Sequence, residues 1–218
     1  VIHEGVNSAL KPEIDQKKIA HARARYAKNR KFIFFLATIE PRKNLIRLID
    51  AVRALNLRGL NQHLLVAGRK GWLYQDIFAH VKKVGMQDRV DFLDYVPDED
   101  LPALMAACDA FVFPSLYEGF GLPPLEAMAC GAPVIASNAS ALPEILGDAA
   151  LYVNPTNTAD IAIGIERVLS NRELRDELRA KGIAHARKYS WERAARETLA
   201  VYEQVASRKS HLKSERET

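Results

Sequence analysis

Residues 114–133, PSLYEGFGLPPLEAMACGAP, bring the carboxylates Glu118 and Glu126 together with Gly119, Gly121, Pro123 and Pro124 where an apolar run, 109–113 (DAFVF), gives way to a helical segment, 125–130. The glycines allow unusual dihedrals and close approach of a ligand, and the prolines pre-set φ for a first helical turn whose N–H groups have no partner anyway. The amides of such a turn converge with the positive end of the helix dipole, which suits a phosphate. Glu118 and Glu126 cannot bind phosphate, because like charges repel; they suit hydroxyls. A ligand with both phosphates and hydroxyl-rich rings, a nucleotide sugar, meets both demands. The plainer alternative is a turn with surface glutamates and no ligand.

A second chemical element is Pro41-Arg42-Lys43-Asn44, again between a strand end and a helix start. Two adjacent cations there neutralise a diphosphate, Arg42 with a planar fork and Lys43 with a compact charge. They also stabilise a nucleoside diphosphate as it leaves, when its negative charge grows. Two solvated basic residues at a helix start are the alternative.

These segments need a scaffold that presents strand ends side by side. Strand-like runs fall at 32–38, 62–67, 89–93, 109–113, 133–136 and 150–153, with helical patterns between them at 44–57, 72–84, 98–107 and 142–146. Leu45, Leu48, Ile49, Val52 and Leu55 share one helix face, as do Ile77, Val81 and Val84. Strict alternation of this kind predicts an α/β fold, a Rossmann-like parallel sheet flanked by helices, whose ligands bind at the carboxyl ends of the strands. Beyond residue 158 the chain reads as helix after helix: Ile161, Ile165, Val168 and Leu169 form one stripe, and Trp191, Ala195, Thr198, Tyr202 and Val205 another, with Ser190 as its N-cap. The polar end, 207–218, is expected to fray. The organisation expected is a linker and basic helix over 1–31, a nucleotide-sugar-binding domain over 32–189, and a helix with a polar tail over 190–218.

Composition narrows the function classes. The 218 residues, 48% of them hydrophobic, are enough for a proper core. No run reaches the ~18 apolar residues that span a membrane, and no signal peptide opens the chain, so a cytoplasmic protein is expected. Cys108 and Cys130 lie among apolar neighbours and read as buried reduced thiols, and the histidines lack metal-ligand spacing. The net charge of +4 is uneven: Lys17, Lys18, Arg23, Arg25, Lys28, Arg30 and Lys31 are clustered without an acid among them. That cluster is a solvated helix face or, alternatively, a contact with an anionic membrane surface, on which the protein would sit peripherally. Nothing in it resembles a nucleic-acid motif.

Glu118, seven residues and Glu126, in the context SLYEGFGLPPLEAMACGAPVIAS, resembles the signature of the retaining glycosyltransferases of family 4, which have the GT-B fold. The likeness extends through VIHEGVN, IEPRKNL, VAGRKGW, YVPDEDLPALM and YSWERAARETLAVYEQV, in the order found in the C-terminal, donor-binding half of such enzymes. It implies that Glu118 touches the transferred sugar, Glu126 the ribose, Gly119-Phe120-Gly121-Leu122 the sugar and phosphate, and Arg42 and Lys43 the diphosphate. It implies no covalent nucleophile, no metal or other cofactor, an acceptor that is a glycan or lipid-linked glycan bound mainly by an N-terminal domain missing from this chain, and a C-terminal helix that crosses to that domain. The wording of PRKN and EGFGLPPLE resembles bacterial mannosyltransferases of surface polysaccharide assembly, which favours GDP-mannose. A non-catalytic nucleotide-sugar-binding module and a GT-B epimerase are the other readings. Three further segments follow strand ends. Asp98-Glu99-Asp100 reads as a helix cap at Asp98 rather than a metal motif; Arg69-Lys70-Gly71-Trp72 is a turn or a nucleotide contact; residues 138–144 either border the sugar pocket or form a helix start capped by Ser140.

Overall fold

The computed structural model describes residues 1–13 and 15–214, with side chains as far as residue 207. Among them are six parallel strands, β1 (Phe32–Leu36), β2 (His63–Ala67), β3 (Val90–Asp94), β4 (Ala110–Phe113), β5 (Val134–Ser137) and β6 (Leu151–Val153), in the order β3-β2-β1-β4-β5-β6. The strand runs are almost continuously apolar because both sheet faces are covered: every side chain of β2, β4 and β5 is buried. The strand order reverses between β1 and β4, so their carboxyl ends bound a crevice of the kind that admits ligands in doubly wound sheets.

The helices are α1 (Gln16–Ala27), α2 (Leu45–Leu57), α3 (Tyr74–Lys83), α4 (Leu101–Ala107), α5 (Leu122–Ala129), α6 (Leu142–Leu146), α7 (Thr158–Ser170), α8 (Arg172–Ala186) and α9 (Trp191–Ser214). The expected apolar face of α2 is buried at all five positions, and Ile161, Ile165 and Val168 of α7 are buried as well. The thiols of Cys108 and Cys130 are both free and buried, and burial pushes the Cys130 thiol up to about 12.

Several local expectations need correction. The first turn of α5 begins at Leu122, three residues early, because Gly121 in the left-handed region (φ 105°) turns the chain before the prolines. Asp98 does not cap α4, which starts at Leu101; the nearby Asp100 instead pairs with Arg25 at 2.9 Å and accepts from Tyr26. The basic cluster is only partly a solvated face. Arg23 turns inward to the Ala107 carbonyl and the Phe32 ring, and Arg30 pairs with Asp91 at 2.6 Å, while Lys17, Lys18, Arg25, Lys28 and Lys31 stay exposed, Lys18 paired with Glu13. Ser190 does cap α9, its Oγ accepting from Arg193 N at 3.1 Å, but Trp191, Tyr202 and Val205 of the expected stripe are about half or more exposed. The helix continues into the polar tail as far as Ser214, and the last residues, 215–218, lie outside the described residues.

At the opposite end of the sheet His63 is buried with Nδ1 lacking a hydrogen-bond partner, while Nε2 lies 3.3 Å from Arg89. Burial first, then the charges of Arg30 and Arg89, lower its pKa below the ordinary value. The unfolded chain therefore takes up this proton near pH 6.5 while the folded chain waits for a lower pH, and stability is lost as pH falls through that interval. Denaturant melts between about pH 7 and about pH 5 should show a steeper loss for the wild type than for His63→Gln; equal slopes would contradict this assignment.

Candidate functional site

The crevice between β1 and β4 is built by two loops that lock together. After β1 the chain runs extended through Glu40, makes a single 3-10 turn at Pro41–Lys43 and reverses at Asn44, which is left-handed (φ 63°), to start α2. After β4 it passes Pro114 and Ser115 to Glu118 and the glycine turn. Leu116 N donates to the Arg42 carbonyl at 2.9 Å, and the Asn44 amide donates to the carbonyls of Pro114 at 2.9 Å and Pro155 at 2.7 Å. Asn44 thus ties together the loops that follow β1, β4 and β6.

Lys43 and Glu118 are buried, 7% and 8% exposed, and their charged atoms are 2.7 Å apart. The ammonium also lies 5.3 Å from the centre of the Phe113 ring. Glu118 Oε1 accepts a second bond from Ser115 Oγ at 2.6 Å, while Oε2 lies 3.1 Å from Arg42 Nη1. Arg42 is more open; it bonds the Tyr117 carbonyl at 2.6 Å and Glu40 at 2.7 Å. Burial works against its charge, but Glu118 and then Glu40 outweigh that and hold the guanidinium more firmly protonated. Residues that the sequence reading assigned to different parts of a ligand therefore share one ion-paired cluster, in which Glu40 and Glu118 balance Arg42 and Lys43. Arg42, not Lys43, is the cation facing solvent.

The backbone of Glu118 is held from the other side. Its N–H donates to Ser140 Oγ at 2.9 Å, so this hydroxyl bridges the β4 and β5 loops instead of capping α6. A Cβ at Gly121 would stand 2.5 Å from the Leu142 side chain, which would have to move, whereas a Cβ at Gly119 would meet nothing within 4 Å. A cavity of about 730 Å³ opens at this turn, lined by Glu118, Gly119, Phe120, Gly121, Leu122 and Pro123, with His3, Glu4, Ala141, Glu144 and Ile145 opposite.

Glu126 occupies different surroundings. It is half-buried on α5 with no ion pair or hydrogen bond to its carboxylate among the described residues, and burial, aided by the negative charge of Asp98, raises its pKa. Asp98 lines a second cavity of about 500 Å³ at the ends of β1, β2 and β3, with Thr38, Gly68, Arg69, Asp94, Tyr95 and Val96. Arg69 is thus placed at a cavity, and Lys70 pairs with Asp94 at its edge at 3.4 Å. One cavity thus opens at Glu118 and the glycine turn, and the other at Asp98, whose charge reaches Glu126. The sequence gives no site role to Ser115 or Glu40, includes Asn44 in the Pro41–Asn44 element without a role of its own, and offers Ser140 only within residues 138–144, as a border of the sugar pocket or a helix cap. Only Asn44 carried a local signal, since asparagine before a helix tolerates the left-handed region.

The family model for glycosyl transferases group 1 matches residues 16–185, which include every one of these loops. The chain belongs to the glycosyl transferases group 1. Over 172 residues it is 40% identical to the O-antigen chain mannosyltransferase B of Escherichia coli, a match spanning 78% of this chain and 45% of that protein. The sucrose-phosphate synthase of Thermosynechococcus elongatus superposes with a TM-score of 0.81 at 27% identity over 94% of this chain and 52% of its own. A C-terminal domain of a glycosyl transferase group 1 family protein from Francisella tularensis, with a TM-score of 0.70 at 25% identity, is covered over 97% of its length by 84% of this chain. As a group 1 glycosyl transferase, the chain thus spans about half or less of its full-length relatives, and its six-stranded fold matches one half of a GT-B enzyme. No helix among the described residues is long and apolar enough to cross a membrane.

Proposed function

We propose that this chain is the donor-binding half of a retaining glycosyltransferase of family 4 that uses a nucleotide-diphosphate sugar, GDP-mannose foremost, in glycan or surface polysaccharide synthesis. The observation that carries this reading is the convergence of Arg42, Lys43 and Glu118 in the β1/β4 crevice, with one cavity opening at Glu118 and another at the ends of β1, β2 and β3. The diphosphate lies against Arg42 and Lys43. The sugar enters the larger cavity, where Glu118 has acceptor capacity left for a hydroxyl and the Gly119-Phe120-Gly121-Leu122 backbone lines the wall. The ribose lies toward Glu126 and the base toward Thr38, Arg69 and Val96.

In the reaction, the acceptor hydroxyl oxygen bonds to the anomeric carbon on the face from which the phosphate oxygen departs. The electron pair of the broken bond passes to the diphosphate, which also takes the acceptor's proton. Arg42 and Lys43 stabilise the charge that accumulates there, so catalysis is positioning and electrostatics, without a metal or a covalent intermediate. Acceptor recognition is assigned to the part of the full-length relatives that this chain does not cover. The exposed Lys17, Lys28 and Lys31 suit a peripheral, cytoplasmic position beside an anionic membrane holding a lipid-linked acceptor.

Thermal unfolding with GDP, UDP, ADP and their sugar conjugates tests the donor site. At 100 times its dissociation constant a ligand adds about 2.7 kcal/mol, a rise of roughly 5–10 °C for a domain of this size. One base series should produce the rise, and Arg42→Ala should abolish it. No rise with any nucleotide would overturn the reading.

A further inference from the structure

Phe120, between the two glycines of the site turn, leans on a cluster that belongs to neither the β1 nor the β4 loop. Its ring centre lies 6.0 Å from His3 and 5.9 Å, edge to face, from Tyr189, and His3 lies 5.7 Å from Tyr189. Tyr189 is itself anchored, its hydroxyl donating at 2.9 Å to the Ile145 carbonyl, which His185 Nε2 also approaches at 2.7 Å. His3 is anchored through the backbone that follows it. Val6 bridges Ser190 and its N–H donates to the Tyr189 carbonyl at 3.2 Å, while a Cβ on Gly5 would stand 2.1 Å from Trp191 N. Segment 3–6 is therefore pressed against the junction of α8 and α9 with no space between them, and His3 is held over the glycine turn while also lining the larger cavity.

The turn needs such support. Gly119 touches nothing on the side where a Cβ would be, so between the Ser140 bond to Glu118 N and the packing of Leu142 on Gly121 the Phe120 ring is what fixes the turn from the solvent side. We propose that His3 is a positioning residue for the transferred sugar: by packing on Phe120 it holds the Gly119-Phe120-Gly121 backbone at the wall of the sugar cavity, without a role toward the nucleotide. This rests on the donor-site reading above, since it assigns the larger cavity to the sugar.

The discriminating readout is the ratio of affinities for a nucleotide sugar and its bare nucleotide, measured by titration calorimetry with GDP-mannose and GDP, and with UDP-glucose and UDP if the uridine series binds instead. His3→Ala should weaken the sugar nucleotide about 3- to 10-fold and leave the bare nucleotide unchanged. His3→Phe, which keeps a ring against Phe120, should restore the ratio. Equal losses for both ligands would mark a merely structural role, and an unchanged ratio, or no rescue by phenylalanine, would equally overturn the proposal. Wild-type protein that binds bare nucleotide but gains nothing from the sugar overturns it while sparing the nucleotide site; wild-type protein that binds neither ends both readings. Thermal melts of the two variants confirm that each is folded before its ratio is interpreted.

Discussion

Glu118→Gln lowers the unfolding temperature by roughly 6–12 °C, whereas Glu126→Gln, eight positions along the same segment, raises it. Glu118 is the counter-charge of a lysine that is 7% exposed. An amide of the same shape keeps the packing and the bond from Ser115 but leaves the Lys43 ammonium without its anion. Breaking a buried pair from one side costs about 3 kcal/mol or more, and each kcal/mol moves the midpoint of a domain this size by about 2–4 °C.

Glu126 is the opposite case. Its carboxylate is half-buried beside Asp98 with no cation to offset either the lost hydration or the repulsion, which is why its pKa is raised. The folded state then binds this proton more tightly than the unfolded state. The glutamate's contribution to stability is present below its unfolded pKa of about 4.3 and is lost as pH rises through the higher folded value. The gain from Glu126→Gln should therefore appear at about pH 7 and vanish near pH 4. Paired thermal melts at the two pH values check both substitutions; a Glu118→Gln melt within about 2 °C of wild type would show that Lys43 finds another anion.

Asn44→Ala should destabilise by about 3–7 kcal/mol, at least comparable to the loss at Glu118. Its amide satisfies the Pro114 and Pro155 carbonyls in the interior, and each buried acceptor left without a donor costs about 1–3 kcal/mol. Alanine also tolerates the left-handed backbone (φ 63°) less well than asparagine, adding about 1 kcal/mol. Asn44→Gly separates the two effects, since it removes the strain but not the lost bonds and should recover only that last part. Chemical denaturation of the wild type and both variants reads the difference. If alanine and glycine are equally mild, the loops are held by something other than this side chain.

Asn44 also shows how far the sequence could be read. Its neighbours Arg42 and Lys43 were recognisable because cations at a strand-to-helix turn have an evident use. The asparagine's own partners are 70 and 111 residues away, and no local spacing points to them. Ser140 makes the same point in reverse. A serine just before a short helix looks like a cap, and local propensity says no more than that, but the β5 loop folds against the β4 loop and the hydroxyl is taken by Glu118 N. Asp98 likewise sits where an acid would cap a helix; the chain instead makes an extra turn and leaves that carboxylate at a cavity beside Glu126.

The order of strands and helices, the apolar faces of α2 and α7, and the two segments that carry the charges were all determined by the sequence alone, because hydrophobic periodicity and turn chemistry act within a few residues. Tertiary structure decided how those charges pair. The 75-residue separation of Lys43 and Glu118 closes only when β1 and β4 become neighbours at the sheet's reversal. At 2.7 Å, and away from water, the carboxylate that sequence pattern assigned to a sugar hydroxyl is first of all the ion-pair partner of a buried lysine.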